Sequence, residues 1–169
     1  MTKDTYPDLF EYNQSRGIPS LHRMCAEGII IKDDGTAKEI VETAKRVLKE
    51  GPVPWTAEEM NQARYEISEC LEDLSGSDFH YENIFIVNKL AGRVHEFVLR
   101  TNGCWIGDGK WIVRSLQMYD KPFCTQFLDV LDTFYKTEIK DRVIQFVDHI
   151  LAPYGGRMFE GYSEGKEDM

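Results

Sequence analysis

Residues 77–116 read SDFHYENIFIVNKLAGRVHEFVLRTNGCWIGDGKWIVRSL, and the fold follows from how this stretch is read. Ile84, Val87, Leu90, Ala91, Val94, Phe97 and Val98 recur at helical spacing and cover more than one face. A surface helix shows a single apolar stripe, so a helix this apolar belongs in the middle of a bundle. One narrow charged stripe interrupts it. Glu82, Lys89, Arg93, Glu96 and Arg100 follow at steps of 7, 4, 3 and 4 and share one side. Asn102-Gly103 ends the helix, and a Gly107-Asp108-Gly109 turn leads into Lys110-Trp111 and another apolar run. The stripe together with Lys110 and Trp111 is the candidate substrate-binding set. The plain alternative is a solvated edge stitched by pairs one helical turn apart.

Working outward, Thr36 with Glu39 reads as a capping box opening a helix that carries Ile40, Val41, Ala44, Val47 and Leu48 inward and stops at Gly51-Pro52. Thr56 with Glu59 repeats the signal ahead of Met60, Ala63, Ile67, Cys70, Leu71 and Leu74. Beyond the glycine turn, Lys110 to Tyr119 predicts a short helix. Asp120-Lys121-Pro122 then starts another, with Pro near its first position. Thr137 opens the expected last helix, which Pro153 and Gly155-Gly156 close. Residues 161–169 read as an acidic tail.

Upstream of residue 36 the pattern changes. Residues 1–17 read as a polar and aromatic surface segment, while IPSLHRMC (18–25) and GIIIK (28–32) read as short strands or extended segments. Two strands without a third are marginal, so this piece resembles the edge of a sheet. The predicted fold is mainly α: a bundle of about five or six helices over 36–160, with a small N-terminal β appendage over 1–35.

Composition bounds the function. The 169 residues hold 20 Lys+Arg against 29 Asp+Glu, a net charge of −9, which opposes broad nucleic-acid binding or anionic-membrane attachment. No apolar run reaches the roughly 18 residues of a membrane span, and the first residues lack a signal-peptide pattern, so a cytoplasmic protein is expected. Cys25, Cys70, Cys104 and Cys124 form no CxxC and read as reduced core thiols.

Few motifs carry chemistry. The sequence around Gly109-Lys110 lacks the Walker spacing, because Cys104 and Trp111 stand where a glycine and a Ser or Thr are required. The four histidines, His22, His80, His95 and His149, show no metal-ligand spacing, so no metal site is expected. No Asp-x-Asp pair or Ser-His-Asp set stands out, and no catalytic residue is assigned. Arg142 and His149, seven apart on one helix, resemble the Arg-x(4–6)-His motif of HEPN ribonucleases. An ordinary exposed helix face meets that spacing equally well.

The blocks PDLFEY (7–12), LHRMCAEGIIIKDDGTAKEIVETAKRVL (21–48), HEFVLRTNGCWIGDGKWIVRSL (95–116) and ILAPYGGRMFEGY (150–162) together resemble the C-terminal portion of a bacterial nucleotidyltransferase family. That family belongs to the DNA polymerase β-like superfamily and is related to aminoglycoside and kanamycin nucleotidyltransferases. The resemblance implies a helical substrate-binding domain that holds a small-molecule acceptor. In such proteins a small mixed sheet carries Gly-Ser and Asp-x-Asp, which bind Mg²⁺ and the NTP. That segment is expected ahead of residue 1, with residues 1–35 as the remnant edge of its sheet. The expected partner is therefore a nucleotidyltransferase catalytic domain or subunit, with Mg²⁺ and NTP entering only when the two are joined. A homodimer is also admitted. The alternatives are a HEPN-like ribonuclease or toxin–antitoxin component using Arg142 and His149, and a structural interaction module.

Overall fold

The computed structural model describes residues 5–159, which form eight α-helices and one short 3-10 turn, with no strand among the described residues. The helices are α1 (Tyr6–Ser15), α2 (Ser20–Glu27), α3 (Ala37–Glu50), α4 (Ala57–Gly76), α5 (His80–Thr101), α6 (Trp111–Tyr119), α7 (Lys121–Thr137) and α8 (Asp141–Leu151). The 3-10 turn is Ala152–Tyr154. The chain divides into two compact units, residues 5–54 with 99–119 and residues 55–98 with 120–159.

The mainly α expectation holds, but the β appendage does not. α1 stands where a surface segment was expected and α2 where a strand was, and these two helices also raise the count to eight. The physical reason lies in their spacing. Tyr6 and Phe10, one turn apart in a helix with Pro7 in its first turn, bury 94% and 97% of their surface and pack with Ala44 of α3, so α1 is a core element and not a surface segment. Leu21, Cys25 and Ala26 of α2 pack on the same cluster, and His22 is fully buried beside them. Ile29, Ile30 and Ile31 leave α2 without regular structure, because a strand needs a hydrogen-bonded neighbour and none is present among the described residues.

Helix ends show two further corrections. Thr56 and Glu59 form the reciprocal capping box at α4. Thr36 makes no side-chain cap at α3. Asp33 accepts from the Gly35 and Ala37 amides instead, at 2.8 and 3.0 Å, and Glu39 receives the Tyr6 hydroxyl at 2.9 Å. Thr137 ends α7 and does not open the last helix: Glu138 turns left-handed at φ 63° and α8 begins at Asp141. The expected tail 161–169 lies outside the described residues.

The second unit is an apolar bundle. Ile67, Leu71 and Leu74 of α4 are buried, as are Val87, Leu90, Val94 and Phe97 of α5. From α7 and α8 come Phe127, Val130, Phe134, Val143, Val147 and Leu151. Phe123, Phe127 and Phe146 stack within 5.8–6.1 Å of one another. Arg157 closes the far end with paired bonds to Asp148 at 2.6 and 2.7 Å and one to Glu72 at 2.9 Å.

Candidate functional site

Polar pins join the apolar core in tying the first unit together, and these pins build the site. The end of α5 supplies Arg100, only 3% exposed, which donates to the Ser15 carbonyl at 3.1 Å and the Val53 carbonyl at 2.8 Å. Gln14 reaches the Gly51 carbonyl at 3.0 Å, and the Val53 amide returns to the Gln14 carbonyl at 3.2 Å. The loop after α5 is tied in the same way. The Ile106 amide donates to the Gly17 carbonyl at 2.9 Å, and the Trp105 indole N–H donates to the Leu48 carbonyl at 3.1 Å. Satisfied backbone groups of this kind fix a loop more firmly than its composition would.

Glycines make that packing possible at two points. At Gly17, φ is +70° and a Cβ would run into the Arg100 guanidinium. At Gly107 a Cβ would collide with the Trp111 carbonyl and the Ile112 amide, so only glycine lets the loop lie on the first turn of α6. The Trp111 amide closes this turn onto the Asp108 carbonyl at 2.9 Å.

A cavity of about 630 Å³ opens beside this loop. Its apolar wall is Ile18, Pro19, Met24, Ile106 and Trp111, and its polar groups include Arg23, Glu27 and Asp108. The size and the mostly apolar lining with a few charges are those of a small-molecule site. Around Trp111 the electrostatics are unusual for this chain. The Arg23 guanidinium lies 5.1 Å from the indole centroid and that of Arg114 lies 4.5 Å away. Elsewhere Arg46, Arg93, Arg142 and Arg157 pair with carboxylates. Arg23 and Arg114 make no ion pair among the described residues, although Glu27 and Asp108 line the same cavity as Arg23. Such cation–π contacts hold the guanidiniums in place while leaving N–H donors for a ligand.

Buried titratable groups nearby are tuned by desolvation. His22 sits 4.4 Å from the Phe10 ring and 5.6 Å from Trp105, and burial lowers its pKa below 6.5. The Phe10 carbonyl favours the charged ring slightly, but neither ring nitrogen finds a partner with hydrogen-bond geometry, so burial decides the direction. No disulfide joins the cysteines, and burial raises the pKa of Cys25, Cys70, Cys104 and Cys124, which keeps them as thiols.

The sequence-predicted residues are dispersed. Trp111 lines the cavity, and Lys110 is exposed next to it in the chain. Arg100 is an internal pin. Arg93 pairs with Glu66 at 2.9 Å and Glu96 at 3.6 Å along a second, smaller groove of about 340 Å³ in the other unit, which also holds Trp55, Glu58 and Glu59. Its cation is already engaged. Glu82 accepts from the Ser77 hydroxyl at 3.0 Å, and Lys89 is exposed. Arg142 is bound to Asp129 and Thr133, at 3.0 and 3.1 Å, and His149 is exposed on the same helix. Sequence reasoning missed Arg23 and Arg114. Arg114 follows Trp111 by three residues, a helical neighbour that spacing could have found, whereas Arg23 sits in a segment read as a strand.

Among the described residues, no cluster of three His, Cys, Asp or Glu side chains could hold a metal ion, and no helix is long and apolar enough to cross a membrane. No protein-family model, curated protein or solved structure matches the chain.

Proposed function

We propose that this chain is a helical ligand-binding module of nucleotidyltransferase type, and that its ligand is a nucleotide held in the Trp111 cavity. One observation carries the reading: the guanidiniums of Arg23 and Arg114 lie 5.1 and 4.5 Å from the accessible Trp111 indole and neither is held in an ion pair among the described residues, in a chain whose net charge is −9. A planar base lies well against Trp111 and Met24, because every base offers a π-face to an aromatic ring. The guanidiniums supply charge-assisted donors for phosphate oxygens. Glu27 and Asp108 accept from ribose hydroxyls, the role an acidic residue takes in many dinucleotide sites. Nucleotidyl transfer itself needs Mg²⁺ held by carboxylates, and in this reading those belong to a separate catalytic domain or subunit. The module binds and orients.

Titration of the purified chain with ATP and AMP, followed by calorimetry and tryptophan fluorescence, tests the reading. Arg23→Ala should cost about 1.5–3 kcal/mol of binding, the range for a hydrogen bond to a charged group. Trp111→Leu should cost about 1–3 kcal/mol through lost stacking. Arg93→Ala and Arg142→Ala should leave affinity unchanged, and Mg²⁺ with ATP and an aminoglycoside panel should yield no pyrophosphate. Equal binding by wild type and both cavity variants would reject the site.

A further inference from the structure

The second unit carries a surface that the Trp111 site does not use. At the start of α5, Phe79, Tyr81 and Phe85 are 57%, 66% and 76% exposed. Tyr81 and Phe85 lie one turn apart on the same ridge, and Phe79 meets Tyr81 edge-on at 5.5 Å. Single exposed apolar residues are ordinary, but three aromatics gathered on one helix start are not. Beside them runs a groove of about 680 Å³ between the end of α4 and the start of α5. Glu72, Asp73, Glu82, Phe85 and Ile86 line it, together with Gly76 and Ser77.

Charge decides what fits. The lining holds three carboxylates and no cation. Of the basic groups nearby, Arg157 is engaged with Asp148 and Glu72, and Lys140 with the Ser75 and Ser77 carbonyls and Asp78, while Lys89 stands exposed one turn beyond Phe85 as a single cation against the three carboxylates. Asp73 and Glu82 make no ion pair among the described residues. A second copy of this acidic chain would bring like charges together, and nucleic acid or an anionic membrane would be repelled.

We propose that this face docks a basic amphipathic segment of a partner protein, whose apolar side chains cover Phe79, Tyr81 and Phe85 while its Lys or Arg residues meet Asp73 and Glu82. Aromatic anchors with a charged surround are the usual composition of a binding hot spot. Arginine on such a segment also gains from the faces of Tyr81 and Phe85. The complementary charge fixes orientation and raises the association rate.

The test uses the full chain and a fluorescein-labelled amphipathic Lys/Leu helix peptide, with a Glu/Leu peptide of the same pattern as control, read by anisotropy at low and high salt. The Lys/Leu peptide should bind and the Glu/Leu peptide should not. Phe85→Ala should weaken binding roughly tenfold, as loss of an aromatic anchor does. The Asp73→Asn, Glu82→Gln double variant should weaken it at low salt and flatten the salt dependence. All three positions are exposed, and circular dichroism checks that each variant keeps its helix content. Unchanged binding by Phe85→Ala, equal binding of the two peptides, or a wild-type dimer in sedimentation that Phe85→Ala dissolves would each overturn the proposal.

Discussion

The two units solve the same problem with different means. In the second, long helices bury aliphatic and aromatic side chains along seams of many successive turns, with Ser68, Asn83 and His95 buried among them and the Arg157 cluster more exposed. In the first, Tyr6, Phe10 and Ala44 form one apolar cluster, Val47, Leu99 and Leu116 are buried as well, and the turns between shorter helices are tied through backbone carbonyls by side chains such as Arg100. Apolar burial is non-directional and tolerant, whereas a pin such as Arg100 works only at one geometry. A unit built from pins can hold a loop in a defined position beside a cavity. A unit built from seams provides stability and an outer surface.

The largest effect should come from the seam. Phe134 is fully buried on α7, so Phe134→Ala should lose about 3–5 kcal/mol in urea unfolding through lost transfer energy and a residual cavity. A loss below about 1 kcal/mol would mean that the bundle refills the space, and the contrast with the first unit would fail.

A substitution of one methyl group should reveal the pins. Gly17→Ala forces a left-handed residue to carry a Cβ and drives it against Arg100. The strain is roughly 1–2 kcal/mol, to which the displaced Arg100 bonds to Ser15 and Val53 add. Hydrogen exchange should rise in residues 13–18 and 99–107 and leave α7 and α8 protected. If exchange rises uniformly, or not at all, the pins are not what holds the loop.

From residue 36 onward, each helix expected in the sequence has its counterpart in α3 to α8, because the apolar positions there repeat over several turns. The failures sit where the pattern is short. Residues 6–15 offer just Tyr6 and Phe10 as an inward pair, and residues 20–27 offer a single turn of apolar side chains, which also fits alternation. Pro7 and Pro19, each at a helix start, were the local sign that these segments are helical. The Thr36 cap misled because the Thr36 hydroxyl donates to Asp34 and the Glu39 carboxylate receives the Tyr6 hydroxyl, so both halves of the expected box are engaged elsewhere. In the candidate site, Trp111 and the glycine turn were legible as local motifs. Arg23 was not, since its position beside Trp111 depends on the packing of α2, a tertiary fact without a sequence period.

The smallest expected effect is the dependence of the first unit on pH, and it follows from burying an imidazole between Phe10 and Trp105. Burial holds the folded pKa of His22 below the ordinary 6.5. Between the two values the unfolded chain binds more protons than the folded one, so stability rises with pH across that window. The contribution is complete above the unfolded value and is lost as pH falls through it toward the folded value. Thermal melts followed by tryptophan fluorescence should therefore drop between about pH 7.5 and 5.5, the range that brackets an unperturbed histidine. His22→Leu removes the titrating ring and keeps an apolar side chain in the site, so its melting temperature should fall less over the same interval. His149→Leu, at an exposed position, should keep the wild-type dependence. Identical slopes for wild type and His22→Leu would show that the buried imidazole does not sense pH, and that the first unit tolerates a charge where its aromatic packing says it should not.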